Sequence, residues 1–183
     1  MFIKMLGSDV KNLMAFTYKL RGRPQLTGVS IKQDGDFLEF AATDGGALYV
    51  MRRKLMEGET APEKQIVVMF PKLKYKNLVF IEDIPHYDKA CKVTTIEGEQ
   101  GVGSYVCDIY PNYKAIIPED LEKIPLATDY TGFSLAKIKQ LETVVSSGMA
   151  MRPRAKKAKE PHFWHFTRCE REHTVVLMPL VVD

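Results

Sequence analysis

From residue 28 to residue 109 the chain is a succession of short segments rich in Val, Ile, Phe, Tyr and Thr, separated by tight turns. β-Branched and aromatic side chains suit a pleated, half-buried surface. Strands are therefore expected at 28–33, 37–42, 47–55, 65–70, 77–83, 89–97 and 101–109. Asp34-Gly35-Asp36 has the chemistry of a hairpin turn between the first two. Helical periodicity surfaces in only two places. Ser8-Asp9 can cap a helix reaching about residue 20, with Val10, Leu13, Met14, Thr17 and Leu20 on one side, and Gly22 and Pro24 stop it. Ser134 caps a second, reaching about residue 147, with Leu135, Ile138, Leu141 and Val145 inward. Between Pro71 and Asn77 there is room for a turn or two of helix at most. Strands at 162–168 and 174–182, joined by Cys169-Glu170-Arg171-Glu172, close the chain. Connections fall at 57–64, 118–126 and 148–161. A short strand opens the chain. The pattern is helix-then-strands three times, with the middle helix weak or missing, which predicts an α+β fold.

The chain has 183 residues, 45% of them apolar, enough to bury a real core. A net charge of +3 is mild, so any nucleic-acid face must be local rather than global. Cys91, Cys107 and Cys169 are an odd number without CxxC spacing and read as reduced thiols. The opening residues show no secretion signal and no stretch long enough for a membrane span, so a cytoplasmic protein is expected.

Catalytic chemistry finds little support. Asp44 in Thr43-Asp44-Gly45 fits a strand-end turn better than an active site, having no carboxylate or His partner at a recognisable spacing. His162, His165, Cys169 and His173 superficially suggest zinc. On a strand, however, His162 and His165 point to opposite faces, and the spacing fits no common tetrahedral site. Gly98-Glu99-Gln100-Gly101 is a hairpin loop, not a phosphate cradle. A metal-dependent nuclease using Asp44 or the histidines would need a convergent acidic cluster, and none is visible. No enzyme activity, metal or cofactor is expected. Among the basic residues, Lys11 and Lys19 share a helix face, Arg21 and Arg23 follow, and Lys137 lies on the last helix. Singly, such lysines are ordinary solvated side chains. The run containing Arg152, Arg154, Lys156, Lys157 and Lys159 suits phosphates or a solubilising loop equally.

Three segments together resemble the bacterial DNA sliding clamp (DNA polymerase III beta subunit) family: Ala41–Leu48, the run 108–118 around Tyr110-Pro111-Asn112-Tyr113, and Val175–Leu180. The resemblance implies repeated units with antiparallel sheets outside and helices on one face, lining a hole for duplex DNA. It implies that 1–118 is a clamp-like domain of two halves and 119–183 a further half domain ending in a hairpin. Arg23 matches an arginine that reaches DNA, and Lys11, Lys19, Arg21, Lys137, Arg152 and Arg154 complete the expected DNA-contacting set. Thr43, Gly45, Leu48, Pro111, Ile116, Val176 and Met178 match positions around a pocket for partner peptides. Gly46-Ala47 stands where the family has a bulkier, basic pair. The implied function is a processivity factor that contacts duplex DNA without sequence preference and tethers a polymerase, with a clamp loader as a further partner. A family ring contains about twelve half-domain units, so four chains of three units would close one. The alternative is an interaction module that mimics a clamp without encircling DNA.

Overall fold

A computed structural model of the chain describes residues 1–19, 22–106, 109–127, 132–145, 153–157 and 159–179. Ten strands form one antiparallel sheet in the order β1-β6-β7-β8-β5-β2-β3-β4-β10-β9. They are β1 (Phe2–Leu6), β2 (Val29–Asp34), β3 (Phe37–Thr43), β4 (Ala47–Lys54), β5 (Ile66–Met69), β6 (Leu78–Ile84), β7 (Tyr87–Thr95), β8 (Gln100–Tyr105), β9 (His162–Arg168) and β10 (Arg171–Leu177). Helix α1 (Gly7–Ala15) follows β1, and α2 (Leu135–Val144) precedes β9. The two helices pack against each other: the Gln140 amide donates to the Ala15 carbonyl. The fold is α+β, as expected.

Alternation along the strands divides the apolar residues between two faces. Phe40, Ala42, Tyr49, Met51, Val175, Leu177, Trp164 and Phe166 join Val10, Leu13 and Phe16 in the main core. Their neighbours Ala41, Leu48, Val50, Val176 and Phe163 face the other way, where the 109–127 connection covers them with Tyr110, Tyr113 and Ile124. That second, smaller core holds the pocket described below.

β1 would leave an open edge, but the chain seals it. Phe2 exchanges two backbone hydrogen bonds with Thr60. The Lys4 amide donates to the Glu59 carboxylate and the Lys4 carbonyl accepts from Arg53 of β4. Arg53 and Glu59 form a bidentate pair at 2.7 and 2.8 Å, both residues buried. Glu59 also accepts from the Met56 amide. Burial alone would raise its pKa; these bonds overcome that and lower it.

Several boundaries differ from expectation. α1 ends a turn early: the Phe16 and Thr17 amides bond back to Leu13 and Met14, and the Thr17 hydroxyl donates to Met14. Leu20, its expected last apolar residue, lies outside the described residues. Ser8-Asp9 does not cap it. Asp9 sits inside the first turn, buried, and accepts from Arg171 of β10 at 2.7 Å. Burial raises the Asp9 pKa against the pull of Arg171. The strand expected at 101–109 stops at Tyr105, and Ile109 is 81% exposed. Ser134 does cap α2, accepting from the Lys137 amide. Leu135, expected inward, is 79% exposed because it heads the first turn, and Val144 is buried instead. Residues 71–77 form no helix. The last hairpin turns on two residues, Cys169 and Glu170, at φ of 49° and 61°. This is the backbone of a two-residue turn with both central residues left-handed, so β10 starts three residues earlier than expected.

Candidate partner pocket and basic face

The turn between β3 and β4 organises the pocket. The Thr43 hydroxyl donates to the Ala47 carbonyl and accepts from the Gly45 amide. Asp44 accepts from the Gly46 and Ala47 amides. Gly45 adopts φ 91°, and a Cβ there would lie 3.1 Å from an Arg23 guanidinium nitrogen. The left-handed backbone is what calls for glycine here, since the exposed Arg23 side chain can move aside. The C-terminal strand closes beside this turn: Leu177 pairs with Ala47, and the Met178 amide donates to the Gly46 carbonyl.

Thr43, Gly45, Leu48, Pro111 and Ile116 line one cleft of about 380 Å³. Tyr113 and Leu26 form part of its wall. Tyr113 is fixed by its hydroxyl, which donates to Glu39 at 2.5 Å, and Glu39 is held in turn by Lys32. Ile116 is 47% exposed, an apolar surface without a cover. Two expected pocket residues stand elsewhere. Val176 is buried in the smaller core beside its pairing partner Leu48, and Met178, 45% exposed, lies outside the cleft lining. Leu26 was legible only as an apolar residue in a polar segment; the short turn at Pro24–Leu26 brings it in.

The expected DNA-contacting residues divide. Lys11 and Lys19 are exposed, and among the described residues neither has a carboxylate partner. Arg23 stands at the Leu48–Ile116 cleft, its guanidinium 5.9 Å from the Tyr18 ring centre. Lys137 is not a free cation. Its ammonium bonds both Asp44 oxygens, at 2.5 and 2.6 Å, in a half-buried site. Gln140 donates to the same carboxylate. Burial raises the Asp44 pKa, but these donors together lower it. The Arg154 guanidinium is likewise occupied, donating to the Glu122 and Ile124 carbonyls. Arg21 and Arg152 lie outside the described residues, as does Cys107.

The histidines have local partners. His165 bonds Thr174, and His173 bonds the Tyr49 hydroxyl at 2.8 Å. Burial pushes the His173 pKa down to about 4. Among the described residues no three His, Cys, Asp or Glu side chains converge as a metal-binding group. Among the described residues no helix is long and apolar enough to cross a membrane.

No family model and no curated protein matches this sequence. Solved structures do match. The Helicobacter pylori beta clamp bound to a DNA ligase peptide aligns at TM-score 0.69 and 14% identity, covering 99% of this chain and 66% of its own length. The Bacillus subtilis DNA polymerase sliding clamp aligns at 0.66 and 16%, covering 100% and 65%. DNA polymerase III subunit beta from Borrelia burgdorferi, solved with a natural product, aligns at 0.67 and 14%, covering 100% and 63%. The fold is that of a bacterial sliding clamp. The chain thus spans about two thirds of the length of these clamps.

Proposed function

We propose that this chain is a sliding-clamp-like, non-catalytic processivity factor. It holds a short hydrophobic segment of a polymerase or related protein in the Leu48–Ile116 cleft and contacts duplex DNA through exposed lysines. The observation carrying this reading is the meeting of separated segments at one cleft: the β3–β4 turn, the Pro24–Leu26 turn and the 111–116 run. Apolar grooves with a few fixed polar groups are the usual seats of short peptide motifs. The ligase peptide carried by the Helicobacter pylori clamp supports a partner of that kind.

Fluorescence polarisation with a labelled hydrophobic motif peptide tests the cleft. Ile116→Asp, at an exposed position, should weaken binding at least tenfold with an unchanged melting temperature. Equal affinity for wild type and variant would remove the cleft from the proposal.

The second reading, an interaction module that does not encircle DNA, is favoured by the engagement of Lys137 and Arg154 in internal contacts, which thins the expected basic set. Retention on nicked circular DNA with run-off from linear DNA separates the two. Light scattering reports whether chains associate into a ring, four being the number that three half-domain units per chain would require.

A further inference from the structure

Where the helix-then-strands pattern has its middle helix weak or missing, the chain runs through Pro71–Asn77 without one, and exposure alternates along that run. Leu73 is half-buried and Tyr75 is 3% exposed. Lys72, Lys74 and Lys76 between and after them are exposed. The segment is firmly seated. The Tyr75 hydroxyl donates to the Pro71 carbonyl, and its ring meets Phe70 edge-on. The Gly7 amide, at the head of α1, donates to the Asn77 carbonyl. A Cβ on Gly7 would lie only 2.7 Å from the Tyr75 backbone, so nothing larger than glycine permits this approach. The three lysines thereby come to the flank of α1, where Lys11 and Lys19 stand. All five line one cleft of about 630 Å³ floored by Met14, Leu73 and Tyr75.

None of the five lysines has a carboxylate within ion-pair distance among the described residues. The nearby Glu99 carboxylate accepts from the Lys74 backbone amide, not from its ammonium. Elsewhere some exposed lysines find partners, Lys114 with Asp34 and Lys123 with Asp120; Lys54, Lys64 and Lys89 are also unpaired among the described residues but do not line this cleft. Five like charges gathered around one concavity repel one another and raise the local anion concentration. A polyanion with regularly spaced charge relieves both.

We propose that Lys72, Lys74 and Lys76 form, with Lys11 and Lys19, a binding cleft for the phosphodiester backbone of duplex DNA, the lysine-bearing loop acting in place of the absent helix. This rests on the function proposed above and adds three contacts that sequence periodicity did not suggest. Each neutralised phosphate contributes about 0.9 to the slope of log K against log salt.

The experiment is a salt titration of binding to duplexes of unrelated sequence. It compares wild type with K72A/K74A/K76A, K11A/K19A, and a charge-matched control, K54A/K64A/K89A. The cleft triple variant should keep the wild-type melting temperature, lose affinity equally for all sequences and lower the slope by about 2 to 3. The control should change the slope by less than about 1. A cleft triple no different from the control, with K11A/K19A still impaired, overturns this inference alone. Wild-type protein without salt-dependent DNA binding overturns the proposed function with it.

Discussion

The two helices are attached to the molecule in contrasting ways. α1 buries Val10 and Leu13 completely, with Phe16 just beyond its end equally covered, all in the main core. α2 buries one residue fully, Val144, and its first leucine stands in solvent. Val144 joins the main core with Leu141 and Val145 packed against it, and polar contacts add to that hold: Lys137 and Gln140 on Asp44, and Gln140 on the Ala15 carbonyl. Apolar burial scales with area and tolerates small shifts. A shared carboxylate is directional and lost as a unit. One helix is thus anchored by complete apolar burial, and the other adds to a smaller apolar contact a tie to the β3–β4 turn through one acidic side chain.

The largest test of that contrast is Leu13→Ala. It should cost about 2–5 kcal/mol of global stability, the range for emptying a packed leucine site, measured by urea unfolding. Asp44→Asn should cost less, about 1–3 kcal/mol, and the loss should be local. Amide exchange across α2 should speed up while β2, β3 and β6 keep their protection. A uniform loss across both helices would erase the distinction.

Acid sharpens it further. His173 has its pKa lowered, so the unfolded chain takes up the proton first and stability falls as pH drops from about 6.5 toward 4. Asp44 and Glu59 also have lowered values, from 3.8 and 4.5, so their contribution is full above those values and lost as pH falls below them. Asp9, raised by burial, acts in the opposite sense: protonation relieves its penalty. Exchange followed against pH should therefore show α2 loosening only below pH 3.8, as Asp44 takes up its proton. Replacing His173 with Phe should flatten the pH 4–6.5 part of the melting curve. The smallest effect belongs to Leu135→Ala, expected within about 0.5 kcal/mol of wild type because the side chain is already solvated. A larger loss would mean that Leu135 itself carries an apolar contact that its exposure hides.

The sheet was mostly legible because strand identity is local. Val, Ile and aromatic runs between turn residues locate β2 to β7 within a residue or two, and Asp34-Gly35-Asp36 does turn between β2 and β3. The ends of helices were less so. α1 was read a turn too long because Thr17 and Leu20 continue its period, although Thr17 instead bonds back and tightens the last turn. Partner choice across the chain was not legible at all. Nothing near Lys137 in sequence announces Asp44, 93 positions away, so Lys137 was read as a free cation. Nor does Lys72-Leu73-Lys74-Tyr75-Lys76 show a helical period, and without one nothing in the run marks its lysines as sharing a face with Lys11 and Lys19. Their placement depends on Gly7, far upstream. In the pocket, Thr43, Gly45, Leu48, Pro111 and Ile116 do share one cleft, whereas Val176 lies on the same face beside Leu48 but is covered within the smaller core and reaches no cleft surface.

A strand whose outer amide and carbonyl are already gripped by Glu59 and Arg53 offers an intruder nothing to zip onto. To add there, a foreign strand would have to evict a carboxylate with four donors and strand its guanidinium in a dry setting. The amino-terminal rim is thereby proofed against runaway stacking, and copies that join by extending the sheet must do so somewhere other than β1.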